Sequence, residues 1–190
     1  MERRDALKNL GLSIGGITMS STVVGLLQSC SGKSNLTWNP EIFDSQEAEL
    51  ITKTLEVILP KTEDIPGATE LNLTQFIDGY IKHVSGSEEQ KSIKKLAEKY
   101  LSTTKATLGK KNVSDMTFDD IDSRLAYYLK ADKSQIEQWS NEDSDDASNY
   151  NFLNSLRSRG VSAFKMSEYI GEKVLAYSPI PGQQIGCVDL

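Results

Sequence analysis

Along most of this chain apolar side chains recur at steps of three and four residues, and no convincing run alternates at a step of two. Leu50, Ile51, Thr54, Leu55, Ile58 and Leu59 share one side of such a helix. Asp44-Ser45-Gln46-Glu47 puts capping side chains and acids at its start, and Pro60 ends it near Leu59. Pro60, Pro66 and Gly67 mark a loop from Pro60 to Asn72. A second helix is expected from about Thr74 to Val84, with Phe76, Ile77, Tyr80, Ile81 and Val84 facing inward and Gly86-Ser87 breaking it. The third, Glu88 to Leu108, keeps Ile93, Leu96, Ala97, Tyr100, Leu101 and Leu108 in register, and Gly109 stands where a left-handed cap belongs.

Thr117 is placed to cap a fourth helix through Phe118, Ile121, Leu125, Tyr128 and Leu129, with Asp119 and Asp120 in its first turn suiting the helix dipole. Lys133 to Trp139 reads as a short helical segment, and Asn141 to Asp146 as an acidic loop. A helix from Tyr150 to about Lys165 presents Phe152, Leu153, Leu156, Val161 and Phe164. Ser167 is placed to cap a last one through Tyr169, Ile170, Val174 and Leu175. The tail from Tyr177 to Leu190, with Pro179, Pro181, Gly182 and Gly186, should be irregular. The pattern predicts an all-α protein: one compact helical domain over residues 44–190 with an irregular C-terminal tail.

The first residues belong to a different pattern. Arg3, Arg4 and Lys8 form a cationic head, no charge occurs from Asn9 to Gly32, and Leu27-Gln28-Ser29-Cys30 closes the neutral stretch. This is the layout of a secretion signal, to be left out of fold reasoning. Arg3-Arg4 followed by Leu7-Lys8 resembles the twin-arginine export signal, and Leu27 to Cys30 resembles a bacterial lipobox, whose cysteine receives a diacylglyceryl group. An ordinary secretory signal with a basic head, or an uncleaved membrane anchor, is the competing reading. The Gly, Ser and Thr content of the stretch disfavours insertion as an anchor. Residues 1–29 are thus expected to be an export signal and 30–43 a tether, with the body on the periplasmic side of a bacterial membrane, lipid-anchored through Cys30.

Charge narrows the partners. Setting aside residues 1–29, which hold Arg3, Arg4, Lys8, Glu2 and Asp5, leaves 18 basic and 25 acidic residues, a formal charge of −7. Nucleic-acid binding rests on phosphate neutralisation by Lys and Arg, so a nucleic-acid partner is disfavoured. With Cys30 lipidated, Cys187 is a single thiol and no internal disulfide can form. One histidine, His83, and one remaining cysteine offer no Cys/His metal site or nucleophilic pair. The acidic stretch Glu142 to Asp146 lacks the spacing of an EF-hand calcium loop. No glycine-rich dinucleotide or phosphate loop and no C-x-x-C-H haem motif is present. The residue inventory points to a partner-binding protein with no catalytic, cofactor-binding or metal residues of its own.

Two stretches carry a family likeness. One holds Ile58-Leu59-Pro60, Ile65-Pro66-Gly67-Ala68 and Phe76-Ile77-Asp78; the other holds Ser167-Glu168-Tyr169-Ile170, Tyr177, Pro179-Ile180-Pro181-Gly182 and Gly186-Cys187. In this order and spacing they resemble the gluconate 2-dehydrogenase subunit 3 family, the small subunit of membrane-bound FAD-dependent sugar dehydrogenases. The resemblance implies a non-catalytic subunit that carries the export signal for a large flavoenzyme of the glucose-methanol-choline (GMC) type. That partner would bind FAD and oxidise a sugar or polyol, and a separate c-type cytochrome would take the electrons. It also implies that Tyr177, Pro179, Pro181, Gly182, Gly186 and Cys187 form an arm laid along the partner; a loose end stiffened by proline is the plainer alternative. From another functional class, a stand-alone exported lipoprotein binding a small ligand or an envelope component fits the same residues.

Overall fold

The computed structural model describes residues 36–141, 144–175 and 177. They form six α-helices: α1 Ser45–Ile58, α2 Leu73–Val84, α3 Ser87–Leu108, α4 Phe118–Leu129, α5 Lys133–Asn141 and α6 Asp145–Met166. A 3₁₀ turn, Val113–Asp115, precedes α4, and a π-helical turn, Ile170–Val174, follows α6. The described residues contain no strand. The fold is all-α, as the periodicity predicts.

Helix α1 is the centre of the domain, packing on α2, α3, α4 and α6. Its start is a capping box. The Asp44 carboxylate accepts from the N–H groups of Gln46 and Glu47, at 2.9 and 2.8 Å, and Glu47 Oε2 accepts from the Asp44 N–H at 2.9 Å. Leu50, Ile51, Thr54 and Leu55 are buried, as expected, while Ile58 and Leu59 sit at the edge of the core. Where α6 crosses α1, a Cβ on Gly160 would lie 2.6 Å from Cδ2 of Leu55, so a side chain there would force the buried Leu55 to repack. Lys53 reaches from α1 to the 3₁₀ turn and donates to the carbonyls of Val113 and Met116, both at 2.8 Å.

Several boundaries and faces differ from expectation. Helix α2 buries Leu73, Thr74, Ile77, Asp78 and Ile81, while Phe76, Tyr80 and Val84 are exposed. The strip that packs on α1 and α6 is already filled by the first set, and residues 76, 80 and 84 fall on the adjacent flank. Ser87 begins α3 rather than breaking the chain, and Gly109 ends that helix in the left-handed region at φ 64°. Phe118 on α4 is likewise exposed.

Helix α6 starts at Asp145, earlier than the expected Tyr150, because Ser144 caps it by accepting from the Ala147 N–H at 3.1 Å. Asp145 and Asp146 therefore occupy a first turn and not a loop. A further helical segment does follow Ser167, whose carbonyl accepts from the Gly171 N–H at 2.8 Å, but its hydroxyl donates backward to the Phe164 carbonyl at 2.8 Å and closes α6 instead of capping the new turn. Tyr169, Val174 and Leu175 are exposed, and only Ile170 of that segment is buried. Within the stretch expected to be a tether, Leu36, Trp38 and Ile42 pack against the core and Phe43 is buried.

Candidate partner-binding surface

The loop between α1 and α2 is built around one carboxylate. Glu56 accepts from the backbone N–H of Lys61 at 3.2 Å and of Thr69 at 2.8 Å, drawing the two ends of the loop together. Gly67 lies against that clamp. A Cβ on it would collide with Glu56 Oε1 and sit 2.7 Å from the Lys61 backbone nitrogen. The Ala68 N–H then bonds the Leu59 carbonyl at 2.9 Å, and its side chain is buried. Gly67→Ala is accordingly expected to cost about 2 kcal/mol in urea unfolding, since the backbone wall cannot rotate away. A variant as stable as the parent protein would show that the loop opens freely.

Asp78 holds a second junction. It is almost wholly buried, and its carboxylate accepts from three successive N–H groups: Glu41 at 2.7 Å, Ile42 at 3.1 Å and Phe43 at 3.1 Å. This ties the segment ahead of α1 to α2. The two stretches that carry the family likeness also meet: the Tyr169 hydroxyl donates to the Asp64 carbonyl at 3.3 Å, beside a shallow depression of about 390 Å³ lined by Ile65, Pro66 and Leu71.

An apolar concavity lies between α2 and α6. It encloses about 230 Å³, with Ile77 and Ala163 among its lining, Phe76 and Tyr80 on the α2 side, and Met166 and Arg159 on α6. Phe76, Tyr80 and Met166 are 48%, 44% and 71% exposed. The two aromatic rings lie 6.2 Å apart, within mutual contact range. Arg159 donates through Nη2 to Glu89 at 2.7 Å and through Nε to Ser155 at 3.4 Å.

Several titratable groups away from this groove are bound into the helical frame. Lys110 and Thr117 hold the Asp120 carboxyl well down, to about 2. Tyr128 is pushed up to about 12, chiefly by burial, and its hydroxyl meets Asp146 at 2.8 Å while accepting from Arg124 and Asn149, each at 3.0 Å. His83 is exposed and 3.5 Å from a Glu41 oxygen.

The family model for gluconate 2-dehydrogenase subunit 3 matches residues 45–182. The chain belongs to this family. Neither a curated protein nor a solved structure gives a significant match. As a subunit 3, the protein is a component of a gluconate 2-dehydrogenase-type complex. Among the described residues, no group of three or more His, Cys, Asp or Glu side chains could hold a metal ion, and no helix is long and apolar enough to cross a membrane.

The residues assigned from sequence to export, lipidation and partner contact fall mostly elsewhere. Arg3, Arg4, Leu7, Lys8, Cys30, Pro179, Pro181, Gly182, Gly186 and Cys187 of this subunit 3 lie outside the described residues. Tyr177 is described; its side chain is 65% exposed and its N–H bonds the Gly171 carbonyl at 2.8 Å. Sequence reasoning missed Glu56, Arg159 and Met166 altogether. Phe76 and Tyr80 were read as core although Leu73, Ile77 and Ile81, at four-residue steps, already make a complete apolar strip.

Proposed function

We propose that this subunit 3 is a non-catalytic accessory subunit of a membrane-associated FAD-dependent sugar or polyol dehydrogenase. It carries the export signal and binds the GMC-type flavoprotein subunit, which holds the FAD, and a c-type cytochrome receives the electrons. The observation that supports this reading most is the family match over residues 45–182. The described body adds to it: its buried ionisable groups are engaged in caps, ion pairs and helix contacts, and the groove between α2 and α6 is lined by exposed apolar side chains.

The export part rests on Arg3-Arg4 with Leu7-Lys8 and on Cys30. A flavoprotein that takes up its cofactor before export must cross the membrane folded, which a twin-arginine route permits. Lipidation at Cys30 would then hold the pair at the membrane, since acyl chains anchor by burying methylene groups. The test is to solubilise the tagged, full-length protein from its native membrane. A yellow flavoprotein of large-subunit size is expected to co-purify. A single band without flavin absorbance would overturn the reading in favour of a stand-alone lipoprotein.

A further inference from the structure

We propose that the groove between α2 and α6 is the docking site for the catalytic dehydrogenase subunit, and that it receives an apolar segment of that subunit flanked by a carboxylate. This rests on the accessory-subunit reading above.

Size decides first between kinds of ligand. Pockets for drug-sized molecules run to about 300–1,000 Å³, and this one encloses about 230 Å³, open along one side between two helices. It is the right scale for one or two anchoring side chains of a protein. Its walls have the composition of a binding hot spot, which favours aromatic residues and arginine: Phe76 and Tyr80 on one side, Arg159 on the other.

These aromatics keep nearly half of their surface in solvent. Their described ring contact is with each other. Two other exposed tyrosines, by contrast, are committed internally. Tyr127 packs edge-on against Tyr128 at 4.9 Å and bonds Asp146 through its hydroxyl, and Tyr169 bonds the Asp64 carbonyl.

Charge selects the partner's chemistry. The body carries −7 once residues 1–29 are set aside, yet among the described residues Arg159 is the one charged side chain lining the groove. Glu89 and Ser155 engage two of its nitrogens. A guanidinium has five N–H donors, so it can donate to a further carboxylate beside an apolar anchor. An acidic protein offering a local cation is complementary to such a segment, and like-charge contact would repel a basic one.

The test uses the full-length subunit and the flavoprotein that co-purifies with it, with affinity read by titration. Phe76→Ala with Tyr80→Ala is expected to weaken binding about 30-fold, the equivalent of a 2 kcal/mol hot spot. Arg159→Glu is expected to weaken it about tenfold or more, with a loss that shrinks at high salt. Phe118→Ala, on the exposed face of α4, should stay within about twofold. Arg159→Glu sets a second carboxylate against Glu89, so Arg159→Gln is measured beside it and should unfold close to the parent while still weakening binding. Groove variants that bind as the parent does, while Phe118→Ala or removal of the residues after Tyr177 abolishes binding, would overturn the groove and leave the accessory role standing. Groove variants that abolish only self-association would overturn it in favour of a second copy of the chain. A parent protein that binds no flavoprotein would overturn both readings.

Discussion

Asp78→Ala is expected to destabilise the domain by about 3 kcal/mol, since three backbone donors lose a buried charged acceptor and each such bond contributes roughly 1.5–3 kcal/mol before relaxation. The carboxylate meets the N–H groups of Glu41, Ile42 and Phe43 at 2.7–3.1 Å, and it is screened from solvent. The sum is smaller than three full bonds because the segment ahead of α1 can lift away and hydrate its donors. Lifting it exposes Phe43 and loosens Trp38, which packs on the core. The loss is therefore partly apolar, at about 25 cal/mol per Å² uncovered. Asp78→Asn should lose about half as much, since the amide nitrogen would face an N–H instead of accepting from it. Hydrogen exchange separates this account from a general core defect. Amides 41–43 should lose protection in Asp78→Ala while those of Leu50–Leu55 stay protected relative to the new global stability. Unchanged protection at 41–43, or a loss under 0.5 kcal/mol, would remove Asp78 as the clamp.

What the sequence displayed of this fold is what local periodicity can display. The start of α1 at Asp44, its end at Leu59, the whole of α3 with its Gly109 cap and the Thr117 cap are set by neighbouring residues, and these agree with the structure. The errors arise where a distant partner decides. Asp78 looks like a surface acid until the segment 41–43 folds over it, and Phe76 and Tyr80 look like core although the 73–77–81 strip is the one fully buried. Ser144 caps α6 inside a stretch rich in acids, where composition alone suggested a loop. The groove was illegible for the same reason. It joins residues 76–80 to 159–166, and no short window of sequence contains both.

The family likeness and the fold divide the labour of the same motif. In Phe76-Ile77-Asp78, Ile77 fills the core and Asp78 anchors a segment, which leaves Phe76 with half its surface in solvent. In Ile65-Pro66-Gly67-Ala68, Gly67 makes room for the Glu56 clamp and Ala68 is buried. Much of the motif thus builds the frame that presents the groove.

Lys94→Met is expected to carry the second large effect, and a pH dependence that identifies its cause. Lys94 Nζ lies 2.5 Å from Glu47 Oε2, with Glu47 1% exposed and Lys94 30% exposed. Burial raises the Glu47 pKa above its ordinary value despite the opposing pull of Lys94, and its other oxygen, Oε1, is buried without a partner. Removing one member of a buried pair typically costs about 3–5 kcal/mol; the partial exposure of Lys94 brings the expectation to about 2–3 kcal/mol at pH 7.5. An acid whose folded pKa lies above its unfolded one favours folding fully below the unfolded value, and this contribution is lost as pH rises through the folded value. In Lys94→Met that folded value climbs further, so the deficit should be largest near neutrality and fall by more than half at pH 4.5, where Glu47 can take up its proton. Glu47→Gln in the same background should recover stability to within about 1 kcal/mol of the parent, because glutamine keeps the acceptor for the Asp44 N–H and removes the stranded charge. Urea titrations at the two pH values decide it: a deficit that is the same at both, or a double variant no better than Lys94→Met, would mean that packing of the lysine stem, and not the buried carboxylate, sets the cost.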